Sequence, residues 1–315
     1  MVSVQAENLE RALAELASGR ALRQADFDGL AGLDREEAVA LREAWKTLPD
    51  PVRMTIAAYI HQQSRETVDD DYDAAAVVAL DDPIAIVRRF AVESLWETTD
   101  RGVGRRLQAL FTTDDDLPVR VAAATVLAGF VMEREFGRGD LAWGDELVAT
   151  LRASIEDVEI PVELRSSALM AVASRNEDWV HTAIREAYYS ENRDYRLASL
   201  VAMGLTAQPA WLEYLYEQLQ SEDPEFRKAA ATACGEIADE EAVDPLADAL
   251  DDEDPLVVVA AVAALAEIGG ELAIEYLQEF RRRVPEELAP SLAEAIAIAR
   301  EMETRTGDED EEDDW

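Results

Sequence analysis

Asp223-Pro224-Glu225-Phe226-Arg227-Lys228-Ala229-Ala230 decides the fold, together with its echo Asp254-Pro255-Leu256-Val257-Val258-Val259-Ala260-Ala261 thirty-one residues later. Asp is a good helix N-cap and Pro is tolerated in the first helical turn, so both stretches read as helix starts. Counting from Arg227, offsets −1, +3, +7 and +10 are Phe226, Ala230, Cys234 and Ile237, one apolar face of a 3.6-residue period. The same frame fits Arg53, Arg88, Arg120, Arg165 and Arg196, then Val258, and more weakly Ala289. Successive anchors lie 35, 32, 45, 31, 31, 31 and 31 residues apart. Another apolar-periodic segment precedes each turn, such as Trp211 to Leu219, so the unit is helix A, turn, helix B. No alternating Val/Ile/Thr-rich run competes, and no strand is predicted.

Asp223 to Ala230, and Ala264-Leu265-Ala266-Glu267-Ile268-Gly269-Gly270, resemble the short HEAT repeat of phycobilisome-lyase-like proteins. The resemblance spans roughly residues 34–300 and implies an all-α solenoid of about eight HEAT-like helix pairs. We therefore expect an N-terminal helical cap over 1–33, repeats over 34–303, and a disordered acidic tail over 304–315. Within the cap, Val4 to Ser18 reads as an amphipathic helix with Leu9, Leu13 and Leu16 on one face. The last helix is expected over 286–303. The 45-residue step is an insertion near 133–144, where Gly137, Gly139 and Gly144 predict a loop. Phe136 and Trp143 are expected to fold back onto a repeat edge.

Composition narrows the function. The chain has 29 basic and 68 acidic residues, a net charge of −39, and only two of its cations are Lys. Phosphate-backbone binding rests on clustered Lys and Arg, so nucleic acid is excluded as a partner. The triplet Arg281-Arg282-Arg283 sits where it complements a helix C-terminus. The longest apolar run, Leu256 to Ala266, is 11 residues, too short to span a bilayer, and no secretory signal is expected at the N-terminus. The single cysteine fits a reducing, cytoplasmic setting.

Catalytic patterns are scarce. His61 and His181 are the only histidines, and neither starts a His-Glu pair. The resemblance extends to a di-iron HEAT-like enzyme, deoxyhypusine hydroxylase, whose ligands are such pairs, so that activity is not expected. Asp69-Asp70-Asp71, Asp114-Asp115-Asp116 and Asp251 to Asp254 lack the spacing of a calcium loop and read as turn and cap residues. No metal, no cofactor and no catalytic residue is assigned. The anchor arginines Arg88, Arg120, Arg165, Arg196 and Arg227 read as a structural ladder, each meeting an Asp or a carbonyl of a neighbouring repeat.

Offsets +1, +5 and +8 of the B helices remain for a binding face. They run from Met54, Ala58, His61 and Arg89, Glu93, Trp96 to Leu197, Val201, Gly204; Lys228, Thr232, Gly235; and Val259, Ala263, Ala266. Three of the 21 are charged, in a chain that is 31% charged. Such a stripe suits a protein or peptide partner on the concave face, with Met54, Arg89, Glu93, Trp96 and Met170 as candidate contacts. The resemblance also implies an alternative, an accessory subunit of a bilin lyase, for which Arg89 and Trp96 would face a tetrapyrrole.

Overall fold

A computed structural model describes residues 4–17, 27–66, 71–284 and 289–312. Helix α1 (Val4–Ala17) buries Leu9, Ala12 and Leu16, leaves Leu13 half-buried, and is followed by a 3-10 turn at Asp28–Leu30. A helices and B helices then alternate: α2 (Arg35–Trp45), α3 (Asp50–Glu66), α4 (Asp73–Ala79), α5 (Ala85–Ser94), α6 (Arg101–Thr113), α7 (Leu117–Glu135), α8 (Leu141–Glu156) and α9 (Val162–Val172). The series continues with α10 (Asp178–Tyr188), α11 (Arg193–Leu205), α12 (Leu212–Leu219), α13 (Pro224–Ile237), α14 (Val243–Ala249), α15 (Pro255–Ile268), α16 (Gly270–Arg283) and α17 (Ala289–Glu312). No strand occurs among the described residues, and the fold is an all-α solenoid.

Turn chemistry sets the helix starts. Asp34 forms a capping box with Glu37, while Asp116, Asp223 and Asp254 accept backbone N–H groups at the starts of α7, α13 and α15. Offsets −1, +3 and +7 are buried as the period requires: Phe226, Ala230 and Cys234 on α13, and Val257, Ala261 and Leu265 on α15.

The chain divides into two compact units, Met1–Ser154 and Ile155–Trp315. In the first, B helix α3 packs on α5 and α5 on α7. In the second, α9 packs on α11, α11 on α13, α13 on α15, and α15 on α17.

Two expectations need correction. The insertion is mostly helix: α7 runs to Glu135 and α8 starts at Leu141, leaving a turn of five residues. Gly137 and Gly139 make that turn with φ of +68° each, a left-handed backbone that glycine adopts without strain. Gly144 instead sits inside α8 against the Arg134 side chain, a close approach that only the missing Cβ permits. Trp143 does fold back and is buried, its Nε1 donating to Gln108 at 2.6 Å and its ring edge-on to Phe130. Phe136 stays 65% exposed beneath Arg138. The second correction concerns the end of the chain, where α17 keeps helical backbone to Glu312 rather than stopping at 303. Its one interior glycine, Gly307, costs ~1 kcal/mol relative to Ala and does not forbid a helix. Residues 313–315 lie outside the described residues, as do Asp69 and Asp70.

Candidate functional site

The anchor arginines point toward the turns. Arg88 grips Asp114 with two bonds, Nε to Oδ2 at 2.8 Å and a second guanidinium N–H to Oδ1 at 2.7 Å. Arg227 holds Asp252 in the same way at 2.7 and 2.8 Å. Arg53 donates to Asp82 at 2.7 Å, beside the indole N–H of Trp45 on the same carboxylate. In each case the acceptor stands six residues before the next anchor. That Asp also accepts a backbone N–H two residues on, from Ile84, Asp116 and Asp254 respectively, and so builds the turn.

Two copies carry Ser at that place. Ser190 and Ser221 accept the N–H groups of Asn192 and Asp223, so the turn survives. A hydroxyl offers the preceding guanidinium no counter-charge. There the residue just before the next anchor is aromatic: Arg165 lies over Tyr195 at 4.7 Å and Arg196 over Phe226 at 5.7 Å. Where the turn has Asp, the same position is Val87, Val119 or Val257. Arg120 donates to the Phe111 carbonyl at 2.9 Å. From sequence the expected acceptor is an Asp or a carbonyl of a neighbouring repeat, and Asp116 and Asp223 stand four residues before two of the anchors. The ladder acceptor is instead two residues before the capping Asp, and Asp223 takes Arg193 from the preceding repeat at 2.6 Å.

The candidate contacts fall in both units. In the first, Met54 on α3 is 41% exposed and Trp96, just past α5, is 51% exposed. The Trp96 indole N–H donates to the Ser64 carbonyl on α3 at 3.0 Å. Two side chains approach the Glu93 carboxylate: Arg89 Nε at 3.5 Å and His61 Nε2 at 3.6 Å. His61 stacks on Phe90, and its burial pulls the imidazole below its ordinary pKa against the opposing field of Glu93. Met170, half-buried on α9, belongs to the second unit.

The second unit adds a groove that the stripe positions only half reveal. Between α11 and α13 lies a depression of about 310 Å³ lined by Leu197, Val201, Lys228, Ala229, Thr232 and Ala233, with Glu225 and Glu236 at its margin. Leu197, Val201, Lys228 and Thr232 are stripe positions. Glu236 is not, because offset +9 has no periodic signal. The B helices nearly touch: a Cβ on Gly204 of α11 would come within 2.9 Å of the Ala233 Cα on α13, and one on Gly235 of α13 within 2.7 Å of the Ala264 Cα on α15. Val259, 64% exposed on α15, extends the apolar surface. Among the described residues no group of three or more His, Cys, Asp or Glu could hold a metal, and no helix is long and apolar enough to cross a membrane.

Residues 182–253 and 212–297 match a family model described as HEAT repeats. Residues 182–297 of the chain carry HEAT repeats. The CpcE–CpcF complex of phycocyanin lyase from a Nostoc species is similar at 18% identity, covering 84% of this chain and 94% of that one, with a TM-score of 0.52. YibA from Escherichia coli is similar at 15% identity over 90% of this chain and 99% of that one, with a TM-score of 0.47. Human deoxyhypusine hydroxylase follows at 20% identity, 84% and 97% coverage, and a TM-score of 0.37. At these identities the likeness is one of fold, as expected for HEAT arrays. No curated protein sequence matches the chain.

Proposed function

We propose that this chain is a non-enzymatic HEAT-repeat scaffold that binds a protein or peptide partner on its B-helix face. The observation that carries the reading is the exposure of large apolar side chains at stripe positions, Met54 and Trp96 in the first unit and Val259 in the second. Scattered exposed apolar residues need no explanation, but these three all stand at stripe offsets of B helices, +1 for Met54 and Val259 and +8 for Trp96. The proposed setting is the cytoplasm, resting on the single cysteine. Burial pushes the Cys234 thiol up to about 12, which suits a packing role. For the tetrapyrrole alternative no specific observation speaks: Arg89 already faces Glu93 and lies over Phe90.

Co-purification followed by mass spectrometry identifies the partner, and Trp96→Ala then tests the face. Hot spots concentrate in a few large side chains, Trp foremost, so affinity should fall by ~2 kcal/mol or more. Because the ring is half-exposed, the melting temperature should drop far less than the ~3–5 kcal/mol that a core Trp truncation costs. Unchanged affinity for the identified partner would remove Trp96 from the face.

A further inference from the structure

Helix-dipole complementarity accounts for positive charge at the end of α16, yet the three arginines there do different things. Arg283 reaches back to Asp251 at 3.1 and 3.2 Å. Arg281 and Arg282 instead line a cleft of about 580 Å³ between α16 and α17, joined by Arg300 and Gln278. Ala293, Ile296 and Ala297 form its apolar wall. Among the described residues, Arg281, Arg282 and Arg300 make no ion pair or side-chain hydrogen bond.

That arrangement is at odds with the rest of the surface. Carboxylates outnumber cations 68 to 29 in this chain. They line the groove between α11 and α13 as Glu225 and Glu236, the cleft by Trp45 as Asp81 and Asp82, and the cleft by Trp143 as Glu133 and Asp140. Among the described residues that line the α16–α17 cleft there is none. Guanidinia facing one volume repel one another, and an anion seated among them reverses the sign of that energy. The planar fork of Arg suits phosphate oxygens in particular. The volume lies within the range of small-molecule sites and exceeds what a lone phosphate fills, while Ile296 and its neighbours suit an organic body. An extended polyanion or an anionic bilayer is a poor occupant, because a −39 surface repels charge within about 10 Å of it at 0.1 M salt. A small anion meets chiefly the local cluster.

We propose that the cleft between α16 and α17 binds a small organic phosphate carrying at least two negative charges, held by Arg281, Arg282 and Arg300 with its organic part against Ala293 and Ile296. The test is calorimetric titration of the full chain with ADP and, separately, with inorganic pyrophosphate. Both should bind saturably at one site, ADP more tightly because it also covers the apolar wall. Arg282→Gln and Arg300→Gln should each weaken ADP binding by about tenfold or more, the usual scale for a charge-assisted hydrogen bond. Arg283→Gln, whose side chain is committed to Asp251, should leave it unchanged. Circular dichroism of the variants checks that these exposed substitutions keep the helices. No saturable binding of either ligand overturns the proposal, and so does an equal loss in Arg283→Gln. Binding of pyrophosphate without ADP overturns the organic-phosphate assignment. Tighter binding of a short poly-aspartate peptide than of ADP assigns the cleft to acidic peptides instead and likewise overturns it.

Discussion

Asp252 and Arg227 meet through two short bonds with both side chains about one-tenth exposed, so this pair is worth more than an ordinary surface ion pair. Arg227→Ala leaves the carboxylate without its partner and should cost ~1–3 kcal/mol, read as a lower melting temperature. The Arg227 hydrogen bond holds the Asp252 carboxyl below the ordinary carboxylate range. A carboxyl depressed in the folded state stabilises above its unfolded pKa of about 4 and ceases to do so as pH falls through its lower folded value. The gap between wild type and Arg227→Ala should therefore be full at pH 6 and close as the solution is taken below about pH 4. Glu236 has the opposite sign: burial, and secondarily Glu267, raise its carboxyl. Its penalty grows as pH rises through that raised value, so Glu236→Gln should melt higher than wild type at pH 7 and equal to it below about pH 4. A lower melting temperature at pH 7 would contradict this. The anchor arginines were legible because they repeat. Their acceptors were not, because Asp and Ser serve the turn equally well and only the side chain one repeat earlier tells them apart.

Among the elements, helix starts were the most legible, since Asp and Pro act locally at Asp223-Pro224 and Asp254-Pro255. The α7–α8 region was misread because glycine has two uses. Gly137 and Gly139 terminate structure through their positive φ, whereas Gly104 and Gly144 sit inside helices to let Trp143 and Arg134 approach. Sequence shows the residue and not the neighbour. The packing of α13 on α15 gives this a test. Gly235→Ala should gain ~1 kcal/mol of helix propensity but force a methyl to 2.7 Å from the Ala264 Cα. Backbone cannot swing aside as a side chain can, so overpacking of ~1–3 kcal/mol should win and the variant should melt lower. An unchanged or raised melting temperature would mean that the helices separate easily.

For the molecule as a whole, the net charge of −39 governs the response to salt. Self-repulsion at that density opposes compaction, and salt screens it within a Debye length that shrinks from about 10 Å at 0.1 M to 3 Å at 1 M. Raising potassium chloride from 0.1 to 1 M should therefore raise the melting temperature by a few degrees, despite weakening individual ion pairs, because the Asp82, Asp114 and Asp252 partners are buried from the screening ions. A fall would mean that pairwise attraction outweighs the summed repulsion. The period of 31 announced the tandem helix pairs from sequence alone. The division near Ser154 did not announce itself, though the one irregular step, from Arg120 to Arg165, spans it.

Arg53, Arg88 and Arg227 meet an Asp of the segment that follows them, and Arg165 and Arg196 an aromatic ring, so these modules obey a junction grammar; Arg120, which turns back to the Phe111 carbonyl, stands outside it. A segment opening with Asp and Val, or with Ser and an aromatic ring, can succeed any Arg-bearing module. One opening with Ser and Val would leave the preceding anchor with neither a carboxylate nor a ring from that segment. The array also has an end mark. Val258 presents no guanidinium, and its successor carries Arg283 at the place where the others carry Asp, Ser or, before Arg165, Glu159. Splicing extra copies between Arg196 and Arg227 should thus yield longer folded chains, whereas the same copies appended after Val258 meet a mismatched seam. The polarity of the array is chemical as well as geometric, because each Asp or ring serves the anchor of the module before it and not the one after.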